Sequence, residues 1–91
     1  MKRVEYSKEK SKELKRKRGV GFEEITKIIN KNGLVEILEH TNKEKYPNQR
    51  MFLVKIKDYI FVIPFVEDED KIFLKTIFPS RKFTKQHTKK P

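Results

Sequence analysis

The chain has 91 residues, 35% hydrophobic and 40% charged, with no cysteine and a formal net charge of +10 at pH 7. That length allows one domain whose core buries roughly 60–65% of the unfolded surface, and the absent cysteine excludes disulfide staples and Cys-ligated zinc. The excess charge sits at the two ends, with nine Lys/Arg against three Glu in residues 1–18, five against none in 81–91, and nine against ten acids between them, so the chain reads as a near-neutral folding module with cationic flanks suited to a polyanion.

Met1 leads directly into Lys2 and Arg3 with no apolar leader, so secretion is not expected and a reducing cytoplasm is. Residues 2–6 alternate polar and apolar and predict a short strand. Ser7 is placed to cap a helix over 8–18, with Glu9 early, Arg16, Lys17 and Arg18 late, and Gly19 as its stop. Leu14 is the only apolar anchor of that helix, whose charged face serves either solvent or phosphate; Arg16 and Lys17 are its candidate RNA contacts. A second helix is predicted from Phe22 to about Lys31, with Glu23 and Glu24 in its first turn and Phe22, Ile25, Ile28 and Ile29 on one face.

Residues 34–40 predict a strand, 41–49 a loop and 50–57 a second strand, with Lys57 and Asp58 as the turn into the next. The apolar run 59–66 reads as a central strand covered on both faces, with Pro64 at a bulge or unpaired position. It is far shorter than the ~18 residues of a membrane helix. Residues 67–70 form an acidic connection, which reads as a solubilising turn rather than a metal site because adjacent carboxylates do not converge on one ion. The last strand, 71–78, is expected to place Ile72, Leu74, Thr76 and Phe78 on one face and Phe73, Lys75 and Ile77 on the other. The sum is an α+β fold: a short N-terminal strand, two helices, then a mostly antiparallel four-stranded sheet. One domain is expected over 1–80, and a basic tail over 81–91 that is either a short helix or disordered.

The spacing of Tyr6, Lys10, Lys17-Arg18-Gly19-Val20 and Phe22-Glu23-Glu24, with Arg50 opening a strand and Arg81-Lys82 and Thr84 following the last one, resembles the BrnT family of bacterial toxins. Tyr6 stands where that family usually has tryptophan, Ser7 where it has aspartate and Arg18 where it has histidine. Gln49 precedes Arg50 where an acidic residue is common, so the resemblance is to a divergent branch of that family. The resemblance implies a RelE-like fold, endoribonuclease activity that arrests growth, and a cognate antitoxin of the ribbon-helix-helix DNA-binding kind.

RNA cleavage without a metal needs a base for the 2′-hydroxyl, cations for the charge developing on phosphate, and an acid for the leaving oxygen. Arg50 and Arg81 offer planar forks, and Lys75 a point charge whose apolar neighbours would lower its pKa. The three are expected to converge on one sheet face. Each also has an ordinary reading: an ion pair for Arg50, an edge lysine for Lys75, a tail charge for Arg81. His40 is the natural proton shuttle, whereas His87, in the basic tail, reads as exposed and inert. Lys43, Lys45 and Tyr46 in the loop, and Lys82 in the tail, are candidate RNA contacts. No Gly-rich phosphate loop, Ser-His-Asp pattern or zinc-binding histidine spacing is present, and no cofactor is expected. Two functions remain: a toxin acting on RNA, either free or at the ribosome, and masked by its antitoxin, or a non-catalytic nucleic-acid-binding module. A purely protein-binding role is a third.

Overall fold

A computed structural model describes residues 3–31, 33–39, 44–45 and 49–88, with backbone alone for Leu34, Val35, His87 and Thr88. The elements run β1 (Arg3–Glu5), α1 (Lys8–Arg18), α2 (Phe22–Asn30), β2 (Leu34–Glu39), β3 (Gln49–Ile56), β4 (Tyr59–Glu67), β5 (Lys71–Leu74), β6 (Phe78–Pro79) and α3 (Arg81–Thr88). The fold is α+β, with three helices and a mixed six-stranded sheet in place of the expected short N-terminal strand, two helices and four-stranded sheet; the start of the tail takes the helical alternative.

Strands β2 to β5 form an antiparallel meander in which β5 is left as an edge. β1 takes that edge in parallel, Val4 opposite Ile72. The expected last strand is broken in two. Leu74 pairs with Phe65, whereas Phe78 pairs with Val62, so one extra residue lies between them. Leu74 and Ile77 are both buried in the same core, and residues three apart cannot share a face of a regular strand. The extra residue resolves that conflict, moving Ile77 to the face opposite the one expected. Pro64 faces this break: its carbonyl accepts from the Lys75 amide at 2.8 Å, and its donor-less nitrogen points to the same side.

One sheet face carries α1 and α2. Leu14, Val20, Phe22 and Ile25 pack there on Phe52, Val54, Ile63, Phe65, Leu74 and Ile77, and the Phe52 and Phe65 rings stack 4.1 Å apart. The opposite face holds a smaller cluster, Leu53, Ile60 and Val62, covered by Phe83 of α3. The start of α3 is stitched to β4: Ser80 N donates to Ile60 O at 2.9 Å, and Ile60 N donates to Thr84 Oγ1 at 2.9 Å.

The α1–α2 corner is a polar and apolar lock. Ser7 Oγ caps α1 by accepting from Lys10 N, and Gly19, at φ 80°, ends it in the left-handed region that glycine enters without strain. Ser11, 1% exposed, accepts from the buried Phe22 N–H at 2.9 Å and donates to Glu23 at 2.6 Å. Gly21 is required beside it, because a Cβ there would lie 2.9 Å from Ser11 Oγ. Glu24 reaches back to Gly21 N at 2.9 Å and pairs with Lys15. The β3–β4 hairpin closes through Lys57 and Asp58 at φ 50° and 68°, a two-residue primed turn in which a left-handed lysine costs roughly 1–2 kcal/mol.

Candidate nucleic-acid interface

β-Strand alternation sorts the candidate residues by face. Arg50, opposite Phe65, lies on the α1–α2 side, where its guanidinium pairs with Glu67 and sits 5.5 Å from the Phe65 ring centroid. Lys75 lines a depression with Val66 and Phe73, on the α3 side, and Arg81 and Lys82 open α3 itself. The expected convergence of Arg50, Lys75 and Arg81 is thus corrected. Lys75 and Arg81 share a side, and Arg50 is on the other, held by an acidic neighbour. Lys75 also loses Ile77 as an apolar neighbour, because the register shift turns Ile77 into the opposite core.

Arg16 and Lys17 are exposed on α1, across the sheet from α3, and Lys17 lies 3.7 Å from Glu13. Lys45 is exposed in a turn. His40, Lys43 and Tyr46 lie outside the described residues, as does the side chain of His87.

What gathers on the α3 side is a strip of cations and aromatic rings. Phe73 opposes Val66, and Phe78 opposes Val62 of the α3-side cluster, which places both rings on this face. They are 38% and 37% exposed, and Val66 between the strands is 38% exposed. Lys75 lies between the two phenylalanines in sequence, and Lys82 Nζ lies 5.9 Å from the Phe83 ring centroid. The first turn of α3 has no acidic residue, although a helix N-terminus favours anions. Arg81 and Lys82 there oppose the helix dipole, and a bound phosphate would offset both. At the foot of the strip, Val66, Glu67, Asp68, Lys71, Phe73 and Lys75 line an open depression of about 430 Å³. Asp68 shapes its rim, its Oδ1 accepting from Asp70 N and Lys71 N at 2.9 Å each. The acidic connection is thus a hydrogen-bonded turn.

Sequence reasoning missed Phe73 and Phe78 as site residues. Strand alternation had put them on opposite faces, and only the extra residue between β5 and β6 brings them to one.

The groups whose titration is displaced lie in the α1–α2 corner. The Ser11 hydroxyl and a backbone amide hold Glu23 below its ordinary value. Burial opposes ionisation of Glu24, but the Lys15 ammonium and the Gly21 amide outweigh it and lower its pKa. Burial, with Glu23 nearby, raises Tyr6, whose ring lies 5.3 Å from that of Phe22. Tyr6, Gly19, Val20, Phe22, Glu23 and Glu24, part of the set that carries the resemblance noted above, therefore serve one interlocked corner, whereas Arg81 and Lys82 of the same set open α3.

Comparison of the chain with protein-family models, curated proteins and solved structures finds no match. Among the described residues no helix is long and apolar enough to cross a membrane.

Proposed function

We propose that this chain is a ribonuclease toxin of a type II toxin-antitoxin system, with a RelE-like fold, acting on single-stranded RNA in the cytoplasm and neutralised by a cognate antitoxin. The observation that carries the RNA reading is the strip on the α3 side, where exposed Phe73 and Phe78, on either side of Lys75 in sequence, share a face with α3 and its Arg81 and Lys82. Exposed rings on an open sheet stack unpaired bases, and neighbouring cations hold the phosphates between them. The toxin reading is supported by the resemblance, of whose residues Phe22, Glu23 and Glu24 interlock with Ser11 and Gly21 in one corner.

In this mechanism Phe73 and Phe78 splay two bases apart, and Lys75 and Arg81 face the phosphate between them. Their charge stabilises the negative charge that builds on the non-bridging oxygens as the 2′-oxygen attacks. His40 takes the role of proton shuttle. A second reading, a binding module without catalysis, is favoured by the composition of the strip. Its described charged groups are cations apart from Glu67, paired with Arg50, and Asp68, held in its turn.

The test is purified protein incubated with end-labelled single-stranded RNA in EDTA, with and without ribosomes, beside Arg81→Ala and His40→Ala. Cleavage that both substitutions abolish, in variants that remain folded, supports the toxin; tight binding without cleavage supports the binding module. If RNA is neither bound nor cut, both readings fail.

A further inference from the structure

On the side of the sheet away from the strip, the α1–α2 corner and the β3–β4 hairpin enclose an open groove of about 800 Å³. Its floor is apolar, formed by Val20, Ile28, Ile56 and Phe61. Its rim is cationic: Arg18 at the end of α1, Lys27 and Lys31 around the end of α2, and Lys57 at the hairpin tip. Lys15 is also on the rim but is engaged by Glu24, the one acidic residue there. Arg18, Lys31 and Lys57 have no ion-pair partner among the described residues.

Lys57 adds a second observation. It holds φ 50° in a turn that glycine or asparagine would enter more easily. A strained residue kept at the mouth of a groove is a pointer to use, since the turn itself would be better made without it.

We propose that this groove docks an acidic amphipathic helix of a partner protein, whose carboxylates meet the rim and whose apolar side chains fill the floor. Charge complementarity selects an acidic occupant. The floor selects a peptide over a nucleic acid: it is largely aliphatic, and its exposed ring, Tyr59, packs edge-on to Phe61 at 6.0 Å and 62°. A helix lying in a groove uses such a floor through apolar residues at helical spacing. The groove and the strip lie on opposite faces of one sheet, so a partner here leaves the RNA side open. Recognition of the two ligands is therefore separable by mutation. The inference does not depend on the toxin reading.

The test titrates isotope-labelled full chain with a synthetic helical peptide of Glu and Leu residues, and separately with an oligouridylate of equal net charge. The peptide is expected to shift the amides of Gly19, Val20, Ile28 and Lys57, and the oligouridylate those of Phe73, Lys75 and Arg81. Reversing the rim with Arg18→Glu and Lys31→Glu weakens the peptide by about tenfold or more. Lys57→Gly weakens it about two- to fivefold, the reach of one exposed ion pair, without lowering the melting temperature because the turn is relieved. A peptide that shifts no groove amide, or an oligouridylate that displaces it from the groove, overturns the proposal. An oligouridylate that leaves the strip unshifted overturns the RNA reading alone.

Discussion

The two faces of the sheet are built from the same strands and have opposite fates. On the α1–α2 side Phe52, Phe65 and Ile63 disappear beneath two helices and a polar corner. On the α3 side one short helix covers Leu53, Ile60 and Val62 and leaves Val66, Phe73 and Phe78 about two-fifths exposed. The difference follows from what each helix can bury. α2 presents an apolar face, whereas among the described side chains α3 offers one apolar residue, Phe83, to the sheet. A face that a chain this cationic leaves open and aromatic is available for binding.

The comparison is most directly broken by truncating one ring on each side. Phe65→Ala is expected to cost about 3–5 kcal/mol of stability in urea denaturation, because its site is fully buried. Phe73→Ala should stay within about 1 kcal/mol of wild type. It should instead remove about 1–3 kcal/mol of affinity for single-stranded RNA, read by fluorescence anisotropy. Equal stability losses would mean that the α3 side is core as well.

Ser11→Ala comes next, at about 1–3 kcal/mol, since it strands the buried Phe22 N–H. The same variant sharpens the pH dependence. Glu23 and Glu24 have lowered pKa values in the folded state, so each contributes stability that is present above the ordinary carboxylate pKa of 4.5 and is lost as pH falls through the folded value. Thermal melts should be flat above about pH 6 and decline below pH 4.5. Ser11→Ala should shallow that decline, having removed the first cause of the Glu23 shift. The smallest expected effect is that of Arg50→Ala. Its pair with Glu67 is 39% and 19% exposed, so the loss is under about 1 kcal/mol. RNA affinity should stay within about twofold, because the residue is on the covered side; a larger fall would return Arg50 to the RNA site.

Much of the local structure was legible because it depends on neighbours in sequence. Ser7 and Gly19 bound α1, the apolar positions of α2 face one way, and Lys57-Asp58 make the turn between the strands that flank them. Caps, helical spacing and tight turns are set within about four residues, and composition reports them directly. Ser11 was not legible. A serine in a lysine-rich helix has no signature of burial until α2 folds back and brings the Phe22 amide to it.

The candidate site depended still more on tertiary structure. Residues 71–78 have strand character throughout, and simple alternation misplaces Ile77 and Phe78 because it cannot register one inserted residue. That insertion is favoured when Leu74 and Ile77 both reach the core beneath the helices, an energy belonging to packing across the sheet. The parallel docking of β1 on β5 has the same origin, since the meander leaves that edge open and nothing within residues 3–5 names their partner. By itself the sequence determined the first two helices, the β3–β4 hairpin and that cations crowd its two ends, while it left the tail open between helix and disorder and ran β5 and β6 together. Which cations share a face with exposed rings, and that Arg50 is not among them, was decided by register, because a shift of one residue exchanges the faces of everything beyond it.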